Sequence, residues 1–404
     1  MGLDSQAIKA LPSIGRRKTM TRVSMRICLL CIFLVVSQQR SSGQQLHGSE
    51  RAKPIRFISW GGIGGWNHKI AKAAAQIGID THRIPIGWTN PEGKHNYAGI
   101  EKAIRCVSEA GMNVILHFCN HWVPEWFKKE HPQAALRNAK RKTSWGSGPS
   151  YWYPYTIRYT IRNITSCLQY LKDKGLLSRV AGIEIGVHME GQLSYMWGNV
   201  WAFDDYALAS YRWFLIGRYR GNIGALNKEW GTGYRSFWEI EPPREYEESA
   251  ECRVFTEFYR ANLLEAAMRM AEEAEKVWKP KVWLWLSHGI EKRHRFTSAR
   301  YPVFYMRKLR EAGYATHVIT DVLGHWGAPD VPKLKALGLT VIGEWAITPT
   351  AKEQRQQARM AWDAGCDGFF VGVLENLFEP DGTPTEVGRE TAKIIRTWKA
   401  GKRP

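Results

Sequence analysis

"AKEQRQQARMAWDAGCDGFFVGVL" (Ala351–Leu374) decides the fold. Ala351–Gly365 spaces its apolar residues at helical intervals, and Gly365 stands where a helix C-terminus favours glycine. "GFFVGVL" (Gly368–Leu374) follows at once and reads as a buried strand. The same order recurs earlier in the chain. "HKIAKAAAQIG" (His68–Gly78) runs into "GIDTHRIPIGW" (Gly78–Trp88), and "GIEKAIRCVSEAG" (Gly99–Gly111) runs into "MNVILHF" (Met112–Phe118). Further strand candidates are "IRFISW" (Ile55–Trp60), "AGIEIGVHM" (Ala181–Met189), "VWLWLSH" (Val282–His288), "THVITDV" (Thr316–Val322) and "LTVIGEW" (Leu339–Trp345). Eight strands alternating with helices predict an α/β fold, a (β/α)8 TIM barrel, with a doubly wound open sheet as the alternative. Two excursions break the rhythm, about Asn120 to Tyr159 and Gly191 to Arg253, so the barrel is expected to carry long loops after strands 3 and 4. Loops at that end of a barrel build substrate clefts.

Outside the barrel the chain reads differently. Arg22 and Arg26 precede the ten-residue apolar run "ICLLCIFLVV" (Ile27–Val36), which has the length of a signal-peptide core and is too short to span a bilayer. The expected organisation is a signal peptide over 1–43, a linker over 44–54 and the barrel over 55–404. Cleavage is expected after Gly43, with Ser37 a rival. Met20 or Met25 is an alternative start, and an uncleaved anchor is the alternative to cleavage. The expected destination is secreted or periplasmic.

Of the net charge of +19, residues 1–48 supply +6 from seven Lys/Arg and one Asp, leaving +13. A basic balance favours acidic partners. No nucleic-acid motif accompanies it, so an anionic polysaccharide is the substrate class it suggests. The 19 Trp point the same way, because indole rings suit the apolar faces of sugars, although most large aromatics pack in cores. Five cysteines lie outside the signal, Cys106, Cys119, Cys167, Cys252 and Cys366. They are scattered without zinc-site spacing and read as buried thiols, with room for one or two disulfides. "NIT" (Asn163–Thr165) is a glycosylation sequon in a eukaryotic host. No cofactor or metal is implied; His117 and His121 are four apart, but on a strand-to-loop segment that is not one helix face.

Polar residues at barrel strand ends read as site residues. Here they are Arg83, His117, His121, His188, Glu190, His288, Asp321, His325, Trp326, Glu344, Trp345 and Glu375, with Gln192 just beyond strand four. Trp122, Trp145, Trp152, Trp326 and Trp345 are candidate sugar platforms. Glu190 and Glu344 stand out because strands four and seven lie across the barrel. Glycoside hydrolysis needs two facing carboxylates, about 5–5.5 Å apart for retention and roughly 6.5–9.5 Å for inversion. Arg83 is placed to hydrogen-bond Glu344 and keep it ionised; a purely structural ion pair between them is the alternative. On strand four, Glu184 shares the pleat parity of Glu190 and competes with it if the register shifts.

These residues resemble the clan A retaining glycoside hydrolases. "HRIPIGW" is similar to that clan's strand-two arginine segment and "GEWAI" to its strand-seven glutamate segment. "FDDYALASYRWFLIGRYRGNIGALNKEWGTGYRSFWEIEPP" (Phe203–Pro243) resembles the region after strand four in family 42 β-galactosidases. The resemblance implies Glu190 as acid/base and Glu344 as nucleophile, with the remaining strand-end residues binding sugar. One departure stands out. The clan has Asn before the acid/base Glu, where it holds the sugar 2-hydroxyl, and this chain has Met189. His188 or Gln192 would have to supply that contact. A carbohydrate-binding barrel without catalysis and a transglycosylase are the alternative functions.

Overall fold

The computed structural model describes residues 54–88, 97–119, 122–146, 148–187, 191–195, 199–287, 302–322 and 328–404. They fall within one compact unit, Ala52–Pro404. The expected signal peptide and nearly all of the linker lie outside the described residues.

The expected alternation is present throughout. In order it is β1 (Phe57–Trp60), α1 (His68–Gln76), β2 (Thr81–Ile86), α2 (Ala98–Glu109), β3 (Asn113–Phe118), α3 (Pro154–Asp173), β4 (Gly182–Ile185) and α4 (Ala250–Val277). It continues with β5 (Val282–Leu286), α5 (Pro302–Glu311), β6 (His317–Asp321), α6 (Val331–Ala336), β7 (Thr340–Glu344), α7 (Ala351–Asp363), β8 (Gly368–Val373) and α8 (Glu386–Lys399). All eight strands pair in parallel with their sequence neighbours, and β1 pairs with β8 to close the barrel. The open doubly wound sheet is thereby excluded.

The glycine stops work as the sequence suggests. Gly78 and Gly111 follow α1 and α2 with φ of +101° and +85°, a conformation that a Cβ disfavours. At the start of α7, Thr350 and Glu353 form a reciprocal capping box, which satisfies backbone N–H groups that the first turn leaves unpaired.

Strand periodicity divides the core in two. Ile58, Ile115, Leu284, Ile319, Ile342 and Phe370 form one cluster, which fills the barrel. Their strand neighbours, such as Val114, Ile183, Trp285, Val318 and Val341, belong to the larger cluster under the helices. Gly343 faces α7 so closely that a Cβ there would lie 2.6 Å from the Cβ of Ala361. The five described cysteines are buried thiols. Asn163 of the sequon is also buried, and its amide donates to the Gly87 carbonyl at 3.0 Å, so it packs α3 onto the barrel. Among the described residues no helix is long and apolar enough to cross a membrane.

Both excursions are ordered where described. The one after β3 holds a short helix, Glu125–Glu130, and a two-residue antiparallel pair, Leu136–Arg137 with Thr143–Ser144. The one after β4 holds helices Asp205–Arg218 and Ile223–Trp230. The "ALNKEWGT" motif is a helix terminus. Asn227 Oδ1 accepts from Thr232 Oγ1 at 2.9 Å and Tyr234 N at 3.0 Å, while its amide donates to the Tyr234 carbonyl at 2.8 Å. Its role is to turn the chain.

Candidate active site

The barrel interior alternates with a two-residue period, so the face that holds the apolar cluster continues into the mouth. Two residues beyond Ile58 is Trp60; beyond Ile115, His117; beyond Ile319, Asp321; beyond Ile342, Glu344. In register, Trp60 pairs with Arg83, His117 with Glu184, and Asp321 with Glu344. The C-terminal mouth is therefore lined by a polar ring resting on an apolar plug.

Three members of that ring form a buried unit. Arg83 Nε donates to Glu184 Oε2 at 2.5 Å, and an Arg83 NH2 group donates to Oε1 at 2.6 Å. His117 Nε2 lies 3.6 Å from Glu184 Oε1. Arg83, His117 and Glu184 are 3%, 1% and 0% exposed. The guanidinium sits 5.5 Å from the centre of the Phe370 ring. Burial pushes the Glu184 carboxyl above its ordinary range; Arg83 pulls it back, and the nearby charge of Glu344 adds to the upward push. The fork expected to engage Glu344 thus closes bidentately on Glu184. The reason is reach: Arg83 on β2 passes over His117 on β3 to meet β4.

Glu344 ends β7 and is 5% exposed. Its backbone is fixed from both sides. The Glu344 carbonyl accepts from Val322 N at 3.0 Å. The next two amides, Trp345 N and Ala346 N, donate to Gln357 Oε1 of α7 at 2.8 and 2.6 Å, and Gln357 Nε2 donates to the Phe370 carbonyl at 2.5 Å. One buried glutamine ties the turn after Glu344 to β8. Trp345 is half-buried beside it.

Strand four ends earlier than the sequence suggests, at Ile185. A Cβ on Gly186 would lie 2.7 Å from Gly191 Cα, so the residues flanking 187–190 touch. Gly191 has φ +89°, and a Cβ there would meet His117 Nε2 at 2.3 Å. Beyond it, Gln192 is 2% exposed and bridges to Leu286 at the end of β5, and Leu193 N donates to the Leu286 carbonyl at 3.0 Å. Across the mouth, Glu375 is exposed in the short helix after β8 (Leu374–Leu377). Its Oε2 would lie 2.8 Å from a Cβ on Gly61, after β1.

Glu344, His117, Trp345 and Glu375 stand at or just beyond C-terminal strand ends, and Gln192 lies in the excursion after β4; Arg83 is corrected to mid-strand, because β2 runs on to Ile86. Glu190, His121, His188, His288, His325 and Trp326 lie outside the described residues, as does Met189. Trp122 is 52% exposed and stacks on Trp60, with ring centres 6.3 Å apart and planes 16° apart, which extends the mouth into an open aromatic face. Trp152 is corrected to a core residue: it is buried, and it stacks on Tyr195 at 5.0 Å and 6°. Trp145 packs half-buried with Val123 and Phe127. Glu184, expected only as a competitor of Glu190, and Trp60 both belong to this mouth. Strand parity, counted from Ile115 and Ile58, is the signal that finds them.

Comparison with known proteins agrees with this fold. The Glyco_hydro_42 family model, described as β-galactosidase, matches residues 66–283. The β-galactosidase BbgII of Bifidobacterium bifidum is 24% identical over 162 residues, 38% of this chain and 22% of that one; the chain thus spans under a quarter of that relative's length. The catalytic domain of β-amylase from Paenibacillus polymyxa has a TM-score of 0.71 at 14% identity, covering 85% of this chain and 99% of that one. The β-galactosidase of Marinomonas ef1 has a TM-score of 0.62 at 16% identity, covering 86% of this chain and 60% of that one. At these identities both solved structures share the barrel fold. Because the family match extends over more than half of its residues, the chain belongs to glycoside hydrolase family 42, the β-galactosidase family.

Proposed function

We propose that this protein is an exported retaining glycoside hydrolase that cleaves β-galactosidic bonds of an oligo- or polysaccharide. Glu344 is the nucleophile and Glu190 the acid, then the base. The observation that carries this reading is Glu344 itself, a carboxylate 5% exposed at the end of β7, in the mouth of a family 42 barrel. Water is largely excluded there, so an ionised oxygen is poorly solvated and reactive towards an anomeric carbon. Glu190 comes directly before Gly191, whose backbone lies against His117. In the first step Glu190 protonates the departing oxygen while Glu344 attacks. In the second, Glu190 deprotonates the water that releases the sugar. The net +13 outside the first 48 residues favours an acidic glycan, and the N-terminal apolar run supports export.

The test is hydrolysis of an aryl β-galactoside by the wild type and by Glu344→Ala, with the first-formed anomer read by NMR. Retention, and loss of activity in the variant, are expected. An inverted product or an active variant refutes the mechanism. Met189, where the clan has Asn, favours a second reading, a barrel that binds glycan without cutting it. Glycan binding without hydrolysis, unchanged in Glu344→Ala, would establish that one instead.

A further inference from the structure

We infer that the excursion between β4 and α4 carries a second carbohydrate site, built from Trp213, Trp238 and Arg212, which takes an acidic polysaccharide chain. The inference rests on the reading above for its ligand class. Its geometry stands apart from the polar ring of the barrel mouth.

Trp213 is on helix Asp205–Arg218, and Trp238 is in the 3-10 turn Phe237–Glu239. They are 61% and 51% exposed, with ring centres 5.8 Å apart and planes at 87°. Water-facing indoles in direct contact form a right-angled corner, one ring offering its face and the other its edge. The corner is rigid. Tyr211 and Leu215 bury the other side of the helix, and buried Phe237 anchors the turn. A preformed aromatic corner suits the apolar face of a pyranose, because little side-chain freedom is lost on binding.

The polar rim selects for charge. The Arg212 guanidinium lies 5.9 Å from the Trp238 ring centre and spends only Nε on the protein, donating to the Ile240 carbonyl at 3.0 Å. Its terminal amino groups are left for a ligand, and that fork matches a carboxylate or a sulfate. Around the turn, Arg141 and Arg244 share one carboxylate, Glu241, at 2.6 and 3.6 Å. The Glu239 carboxylate accepts from the Arg235 backbone N at 3.0 Å. Among the described residues Arg212 makes no ion pair, and that unspent fork is what favours an anionic chain. A second copy of the protein fits less well. Two half-exposed indoles offer on the order of 250 Å², and a stable dimer buries about 800 Å² per partner.

The experiment is affinity electrophoresis of the full chain in gels containing carrageenan, a sulfated galactan, or agarose, its neutral relative. The Glu344→Ala background makes the readout independent of hydrolysis. Carrageenan is expected to retard the protein more than agarose, and added salt to weaken the retardation. Trp213→Ala/Trp238→Ala should lower the affinity about tenfold or more, and Arg212→Gln should lower it for carrageenan alone. Aryl galactoside turnover, in the Glu344 background, should stay within about twofold of wild type in both variants. Unchanged retardation of both variants overturns the inference, as does equal retardation by agarose. A change of oligomeric state in the double Trp variant, read by sedimentation, overturns it in favour of a subunit contact. Failure of the galactosidase assay alone bears on the catalytic reading and leaves this test intact.

Discussion

Replacing Glu184 by Gln removes a charge from the centre of the polar ring while keeping its shape. Arg83, 3% exposed and always protonated, then loses its bidentate counter-ion. Breaking one side of a buried pair leaves an uncompensated charge, worth roughly 3–5 kcal/mol. The amide oxygen of Gln still accepts one bond, so about 3 kcal/mol is the expected loss. For a unit of this length, unfolding entropy near 2 cal/mol/K per residue turns that into a Tm lower by about 4 °C. The second effect is functional. Glu344 is the charge that acts on Glu184 from β7, so the two carboxylates face one another's surroundings across the mouth. Without Glu184, the field of Arg83 falls on Glu344 unopposed and a like charge is gone. Both changes reach the mouth that holds Glu344, and with the Arg83 fork no longer held bidentately kcat should fall by about tenfold or more. Calorimetry and steady-state kinetics measure the two effects. Arg83→Met/Glu184→Leu should recover much of the stability, because a matched apolar pair replaces a matched ionic one. An unchanged kcat, with unchanged Tm, would refute the coupling.

Three other perturbations test separate parts of the structure. Asp204 is buried and pushed up to about 6, chiefly by desolvation, while its side chain caps a helix through Ala207 N. Its folded form holds a proton that the unfolded chain releases near 3.8, so it weakens the fold as pH rises through that window. Asp204→Asn keeps the cap, and should raise stability at pH 7 by up to about 3 kcal/mol with no gain at pH 4; parallel Tm curves from pH 4 to 7 would contradict it. Gly191→Ala forces a Cβ against His117 Nε2 at positive φ, so it should destabilise the protein by about 2 kcal/mol or more. His117→Ala in the same chain should relieve part of that strain, seen as a non-additive urea midpoint. Gln357→Leu leaves the amides of Trp345 and Ala346 without their acceptor. A loss of about 1–3 kcal/mol should come with a fall in kcat larger than any change in KM, since the turn it holds begins at Glu344.

These residues also show which features were legible in the chain. Element type and order could be read throughout, because helix stops and apolar runs are local signals: Gly78 and Gly111 take positive φ where helices were expected to end. Glu344 could be found for the same reason, being the last residue of a recognisable strand. Arg83 could be found too, but its partner could not. Glu184 lies one hundred and one residues away, and the two meet only because β2, β3 and β4 stand side by side in a closed barrel. Nor could composition separate Trp152, packed on Tyr195, from Trp122, open above Trp60.

Strand four shows the limit most sharply. Glu184 and Glu190 have the same parity in "GIEIGVHME", so periodicity treats them alike. Their difference depends on where the strand stops, and that is decided by backbone contact between Gly186 and Gly191, each without a side chain to hold the other off. The earlier carboxylate is thereby committed to the interior, where Arg83 and His117 hold it. Two glutamates six apart share a parity in the sequence, and the end of β4 at Ile185 is what sets the first apart. Glu184→Gln kinetics test whether that interior carboxylate serves the mouth: a Glu184 that served only packing would lower Tm and leave kcat where it was.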